Sequence, residues 1–422
     1  MNIFPLKRYS KYALNNVRWA GETPAHWAPT RNKDIFSERG ALSLKGDETL
    51  LTVSHITGVT RRSEKNVNMF MAETMEGYKH VKQGDMVINT MWAWMGALGC
   101  ANGDGICSPA YGVYAPRKNI PYCPRYFDYL YRTPAAIIEM TRNSKGIVSS
   151  RLRLYPKDFF QIETALPPYD EQVEISDYLD ARTLQINGEI ELLEKKVINY
   201  ELLKKSLIHH TVRHGLNNLA TERESSIEWI GKIPEHWGLV RGKNIFREHE
   251  KSKITAAEGM PKGKYKFFNS SNKQSKWLDF FMRSDEGLIF STGGSAGVNY
   301  CEKEYSYSTD CWCISPYKPK LINLKFYGYF FTSILSEIQQ LAFKGAGLEH
   351  LQKDFIRFNY LPFPPLDEQD KIAKYLDEKI EGLDKILMTI DAKIDVLKDF
   401  RKTLVNDVVT GKIKVTNKGD LA

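Results

Sequence analysis

A chain of 422 residues is too long for one hydrophobic core and predicts two or three domains. Its 42% hydrophobic and 26% charged residues exclude a chain dominated by disorder. The formal charge of +8 favours an anionic partner, of which nucleic acid is the commonest.

The chain opens on polar sequence carrying Lys7, Arg8 and Lys11, not on the apolar stretch of a secretory leader. Between Asp85 and Asp104 lie 18 residues without a charge, close to the length of a membrane span. Asn89, Thr90 and Asn102 interrupt that run, as do Gly96, Gly99 and Gly103, so buried strands joined by a turn are predicted instead. Gly84 to Ile88 reads as one such strand, and Gly287 to Phe290 as another further on. The six cysteines, Cys100, Cys107, Cys123, Cys301, Cys311 and Cys313, contain no CxxC pair. Reduced thiols in a cytoplasmic protein, with no metal, are the expectation.

The chain is written twice. Residues 19–36, WAGETPAHWAPTRNKDIF, return at 229–246 as WIGKIPEHWGLVRGKNIF, with nine identities in eighteen positions at an offset of 210 (229 − 19). Residues 167–180, PPYDEQVEISDYLD, return at 364–377 as PPLDEQDKIAKYLD, at an offset of 197 (364 − 167). The stretches between these landmarks, about 37–165 and 247–362, differ in sequence but share aromatics, β-branched residues, Gly and Pro, which predicts mixed α/β domains. A frame that repeats around dissimilar middles suits a frame that docks and middles that discriminate.

After each PPxDEQ a long helix is predicted. Proline tolerates a helix start and the acidic pair suits its positive end. In the first helix Thr183, Ile186, Ile190, Leu193, Val197, Tyr200, Lys204, Leu207 and Thr211 advance by alternating threes and fours. Adding 197 gives Ile380, Leu383, Leu387, Ile390, Ile394, Leu397, Arg401, Leu404 and Val408 in the second. Each is an a/d seam over four heptads (211 − 183 = 28 residues), and even the basic interruption falls in register. The predicted fold class is therefore α+β: two mixed α/β domains separated by two long helices whose matched seams pair with each other as a coiled coil. The predicted boundaries are 1–166 and 216–363 for the domains, 167–215 and 364–415 for the helices, and 416–422 for a tail.

These features resemble the specificity subunits of type I restriction–modification systems. The resemblance is carried by Thr-Pro-Ala-His-Trp at 23–27, Ile-Pro-Glu-His-Trp at 233–237, Ser108-Pro-Ala-Tyr111, Arg151-Leu-Arg-Leu-Tyr155, the two Pro-Pro-x-Asp-Glu-Gln helix starts and Val408-Val-Thr-Gly-Lys-Ile413. The end of the first helix, Thr211-Val-Arg-His-Gly215, departs from that last pattern. The resemblance implies two pseudo-symmetric target-recognition domains on an antiparallel coiled coil, and a DNA-reading subunit for a bipartite asymmetric site, one half-site per domain. Its partners would be double-stranded DNA, two methyltransferase subunits and motor-nuclease subunits. S-adenosylmethionine, ATP and magnesium would be held by those partners, none by this chain.

Other motifs have plainer readings. Leu166-Pro-Pro-Tyr-Asp170 is similar to the tetrapeptide loop of amino-methyltransferases, but the initial Asn or Asp is missing and Leu366 stands where Tyr169 does, so a helix start is the better reading. Ser291 to Gly297 lacks the Gly-Lys-Ser/Thr of a phosphate loop and reads as a tight turn. His210 and His214 have a zinc-compatible spacing without a third ligand. The repeated His26-Trp27 and His236-Trp237 pairs occur in both copies, whereas half-sites should differ, so they are read as frame.

Groups that read DNA should be polar or basic and lie in the divergent middles. The candidates are Arg61, Arg62, Lys65, Lys79, Arg142, Asn143, Lys145, Ser149 and Arg151 in the first domain. In the second they are Lys264, Lys266, Asn269, Ser270, Ser271, Asn272, Lys273, Lys344 and His350. No catalytic residue is assigned. Two other readings compete: a fused methyltransferase or nuclease, which needs a cofactor loop or an acidic metal cluster, and a coiled-coil scaffold or DNA-binding protein outside restriction–modification.

Overall fold

The computed structural model describes residues 7–14, 17, 19–65, 74–148, 151–271, 276–347 and 349–415. Two compact units emerge: Met1–Leu192 with Lys393–Ala422, and Leu193–Ala392. The long helices, Tyr169–His214 of 46 residues and Leu366–Val409 of 44, each contribute one half to either unit. Both start directly behind their proline pairs, with Asp170 and Glu171, or Asp367 and Glu368, in the first turn.

In the first unit the apolar run after Asp85 becomes the strands Met86–Asn89 and Leu98–Cys100, joined by a turn containing Ala93–Met95. Among the described residues no helix is long and apolar enough to cross a membrane. These strands belong to a four-stranded antiparallel sheet ordered Phe36–Glu38, Tyr111–Pro116, Met86–Asn89, Leu98–Cys100. A helix pair, Pro124–Tyr131 and Pro134–Asn143, follows it, each helix opening on proline. Phe36, Phe127, Tyr131 and Phe159 make a buried aromatic cluster beneath. Within it the buried Asn32 carboxamide oxygen accepts hydrogen bonds from Tyr131 (2.7 Å) and Thr164 (2.9 Å).

The second unit repeats this plan with other residues. Its four-stranded sheet runs Phe246–Glu248, Cys311–Pro316, Gly287–Ser291, Val298–Cys301, the same order in the second copy. The helix pair is Leu324–Ser333 and Leu335–Ala342. In both units a strand behind the His-Trp landmark pairs with the strand that precedes the long helix: Ala28–Arg31 with Glu163–Leu166, and Gly238–Arg241 with Tyr360–Phe363. The additions differ. The first unit carries Leu51–Ser54 paired with Gly58–Arg61 and Lys79–Val81 paired with Gly105–Cys107. The second has a three-stranded sheet, Lys276–Leu278, Tyr265–Phe268, Tyr305–Tyr307, with one parallel pair.

Within the first unit Ile186, Ile190, Ile394, Leu397 and Leu404 are buried along the long helices, and within the second Leu193 and Leu387 are. Thr183, Val197, Tyr200, Lys204, Leu207, Ile380, Leu383, Ile390 and Arg401 are half-buried, whereas Leu184, Ile198, Met388 and Val396, off the seam, are exposed. In the first unit Arg401 donates to Asn187 and the Lys393 ammonium sits 2.7 Å from Glu189, so chain numbers rise on one helix as they fall on the other. The helices are antiparallel. In the second unit Lys204 pairs with Asp384 at 2.6 Å. Moving each partner by 197 turns Lys204–Asp384 into Arg401–Asn187 (204 + 197 = 401; 384 − 197 = 187), so one contact is made twice.

The two helix ends, unlike in sequence, share a terminator. Gly215 and Gly411 both have φ of 75°, the left-handed conformation that glycine adopts without a side-chain clash. Each also packs on a landmark tryptophan. A Cβ on Gly411 would come 2.4 Å from Pro24 and 3.0 Å from Trp27, and one on Gly215 would come 3.3 Å from Trp237.

Candidate nucleic-acid interface

The repeated residues build the support on which the variable loops stand. Glu171, from the first helix start, faces His26 Nε2 at 2.8 Å and accepts the Trp27 indole N–H at 3.2 Å. Glu368 does the same for His236 (2.6 Å) and Trp237 (2.9 Å). Tyr9 also donates to Glu171, and burial together with that carboxylate raises its phenol pKa. The next residue ties in the helix pair. Buried Gln172 accepts the Cys123 N–H (2.8 Å) and donates to the Pro167 and Pro121 carbonyls. Gln369 accepts the Asn323 N–H (2.9 Å) and donates to the Pro364 carbonyl (2.8 Å). Two turns on, Asp180 takes Arg125 and Tyr129, and Asp377 takes Lys325 and Tyr329. Hydrogen bonds to Asp177 and Asp180, with their charge, raise the Arg125 pKa. His-Trp, Glu-Gln and the later Asp are therefore one clamp, made once in each unit.

The clamp holds a matched pair of loops. In the first unit the Leu154 N–H donates to the Thr90 carbonyl at 3.0 Å, which sets the 145–153 hairpin beside the turn at 90–96. In the second the Leu351 N–H donates to the Thr292 carbonyl at 3.0 Å, and the Phe343–Lys344 and His350–Leu351 hairpin lies beside the 292–297 turn. Both hairpins begin Lys-Gly, at Lys145 and Lys344. The Ser108-Pro-Ala-Tyr111 motif is the turn into the sheet strand Tyr111–Pro116, closed by Tyr111 N–H to the Ser108 carbonyl, and Cys311 to Ser308 repeats it before Cys311–Pro316.

The candidate DNA-facing residues fall into several places. Arg142, Lys145 and Arg151 lie on or beside the first hairpin and are exposed, with Lys145 3.1 Å from Asp158 and Arg142 3.4 Å from Glu139. Asn143 is turned back onto Glu139 of its own helix, at 2.9 and 3.0 Å. Arg61, Arg62 and Lys65 form a second group at the end of Gly58–Arg61. There burial, with the Arg62 charge, lowers the Lys65 pKa, and Lys65 donates to Ser54. Lys79 is held inside its domain by the Tyr111 carbonyl (2.8 Å) and Glu38 (3.5 Å). In the second unit Lys344 and His350 face one another across the hairpin, with His350 Nδ1 3.2 Å from the Thr292 carbonyl. Lys264, Lys266, Asn269, Ser270 and Ser271 cluster instead around the strand Tyr265–Phe268, where Lys264 lies over Tyr265 and Asn269 accepts the Ser271 N–H. Ser149, Asn272 and Lys273 lie outside the described residues.

Sequence reasoning missed a cleft of about 190 Å³ beside the second hairpin, lined by His249, Lys251, Thr292, Thr309, His350 and Lys353 among others. Lys353 lies over the Trp312 ring, and burial lowers its pKa, as it does that of His249. All six cysteines are free and buried, and burial pushes the Cys107 and Cys313 thiols up to about 12. Among the described residues no group of three or more His, Cys, Asp or Glu side chains is placed to hold a metal ion. His210 and His214 stack on one another, and His214 Nδ1 meets Glu222 at 2.5 Å.

The model of the type I restriction modification DNA specificity domain matches residues 234–395. A protein named as the type I restriction enzyme MjaX specificity subunit, from Methanocaldococcus jannaschii, is 26% identical over 275 residues, 60% of either chain. The type I specificity subunit S.MgeORF438P of Mycoplasma genitalium is 29% identical over 169 residues, 39% of this chain. The chain is thus similar to type I restriction–modification specificity subunits, and residues 234–395 match their DNA specificity domain. The matched stretches span 60% and 42% of those relatives' own lengths. The fold agrees over nearly the whole specificity subunit. It covers 94% of this chain and 99% of a chain solved for the assembly and conformational transition of a type I R-M system, at a TM-score of 0.68 and 14% identity. The HsdS subunit of Thermoanaerobacter tengcongensis matches over 93% of this chain and 98% of its own, at a TM-score of 0.55 and 14% identity. Several residues that carried the resemblance, the His-Trp pairs and the Glu-Gln of each helix start, are thus the clamp of this chain.

Proposed function

We propose that this chain is a type I specificity subunit and binds double-stranded DNA at a bipartite, asymmetric site. Residues 1–166 read one half-site and residues 216–363 the other, while residues 167–215 and 364–415 connect them. The observation that carries the reading is the twice-made clamp supporting two cation-bearing loop pairs of different sequence. A repeated clamp gives each domain the same seat, and different loops give each seat a different DNA sequence to read. The arginines and lysines of the hairpins suit phosphate contacts, which position a protein, and base edges, which specify.

The chain supplies no chemistry of its own in this reading. Two methyltransferase subunits, using S-adenosylmethionine, sit on it, and motor-nuclease subunits using ATP and magnesium join that core in the cytoplasm. The exposed apolar residues off the helix seam, such as Leu184 and Met388, are surface for such partners. The expected result is that the purified chain, with S-adenosylmethionine or magnesium and ATP, neither methylates nor cuts duplex DNA. Adding a separately purified type I methyltransferase subunit restores sequence-specific methyl transfer, measured as tritium incorporated into duplex. Turnover by the isolated chain would overturn the non-catalytic reading, and failure of the mixture would overturn the partnership.

A further inference from the structure

The first unit exposes apolar side chains where a purely polar reader has no use for them. Ile147, at the tip of the 145–153 hairpin, is fully exposed, and its neighbour Val148 is exposed as well. Trp92 is exposed in the adjoining 90–96 turn, which the Leu154–Thr90 hydrogen bond holds against the hairpin. The turn is also seated on the helix Pro134–Asn143, since a Cβ on Gly96 would meet Ile137 at 2.7 Å. On the hairpin and the end of the helix before it lie Arg142, Lys145, Arg151 and Arg153, all exposed, with Glu139 and Asp158 the acidic groups paired to two of them. An apolar tip inside a cationic collar is poorly matched to water and well matched to a polyanion with an apolar interior. Duplex DNA has that construction, phosphates outside and stacked bases within. The corresponding turn of the second unit is Thr-Gly-Gly-Ser-Ala-Gly at 292–297, with no side chain of comparable size.

We propose that Ile147 and Val148 are an apolar wedge that presses between neighbouring base pairs of the half-site read by the first domain, guided by the arginine and lysine collar. The proposal rests on the DNA-reading function above and adds to it a mode of recognition: this half-site is selected partly by how easily one base step opens. Unstacking costs least at flexible pyrimidine–purine steps, so such a step is expected under the wedge.

The test uses the full chain assembled with its methyltransferase subunits and duplexes carrying 2-aminopurine at successive positions of the mapped site. Apart from the bases that the methyltransferase subunits turn out for methylation, binding should raise the fluorescence at one step of the first half-site and at none of the second. The Ile147→Ser, Val148→Ser double variant changes only exposed positions, so it should assemble normally while losing that rise and binding about tenfold more weakly. The Arg151→Ala, Arg153→Ala variant should bind more weakly on all sequences, with a shallower dependence on salt. The wedge is overturned if the bound wild-type complex gives no rise away from the methylated bases, or if that rise persists in the double variant. It is also overturned if fluorescence stays flat while replacing thymine by uracil weakens binding, because the apolar pair would then be touching methyl groups. A wild-type complex with no affinity for any duplex would instead overturn the DNA-reading function itself, and the wedge with it.

Discussion

Exchanging residues 37–165 for the matching stretch of another specificity subunit is expected to change one half of the recognised DNA sequence completely and leave the other half intact. The exchanged segment contains the first sheet from Ser37 onward, the helix pair and both loops that face outward in the first unit, but neither His26-Trp27 nor Glu171-Gln172. The seat of the domain is therefore kept while its readers are replaced. A clean exchange also needs partners for the seat within the incoming piece: a backbone N–H for Gln172, as Cys123 supplies, and groups for Asp180, as Arg125 and Tyr129 supply. Methylation mapping of the hybrid checks the outcome. If both halves of the site change together, independent reading by the two domains is wrong.

The largest effect of a single substitution is expected at Trp237. Its ring is 1% exposed, its N–H donates to Glu368 at 2.9 Å, and its edge fills the space left by Gly215 at the end of the first long helix. Trp237→Ala removes all three contacts at once and leaves a cavity, a change that costs about 3–5 kcal/mol. Amide hydrogen exchange should show the core around Phe246, Phe290 and Tyr327 losing protection by about 10²- to 10³-fold, each tenfold step being about 1.4 kcal/mol. The aromatic cluster around Phe36, Phe127 and Phe159 in the first unit should keep its protection. Equal loss in both units would mean that the tryptophan acts on the whole chain and not on one seat.

The long helices could be read in the sequence because the signal is local and periodic. A residue such as Ile190 or Leu397 is recognisable by its neighbours three and four positions away. The sheets were legible only in outline, as apolar runs, since the strand order depends on pairings such as Phe36–Glu38 with Tyr111–Pro116, far apart in the chain. The clamp was visible as repetition and not as mechanism: nothing local ties Glu171 to His26, which lie 145 residues apart. The helix ends were obscured for a different reason. Matching letters set Thr211–Gly215 apart from Val408–Ile413, while the shared property is one positive-φ glycine resting on a tryptophan. At the interface, counting charges selected Lys79, whose ammonium is held by its own domain, and passed over Trp92, Ile147 and Lys353, which depend on exposure and on neighbours from other segments.

The most direct measurement is methylome sequencing of cells that express the methyltransferase partner with and without this chain. The account predicts one new methylated motif that appears only when the chain is present, made of two specified parts that differ in sequence and are separated by a spacer of fixed length and unspecified sequence. A chain-dependent motif that is continuous, or two halves that are identical inverted copies, would contradict it, as would a methylome that the chain leaves unchanged.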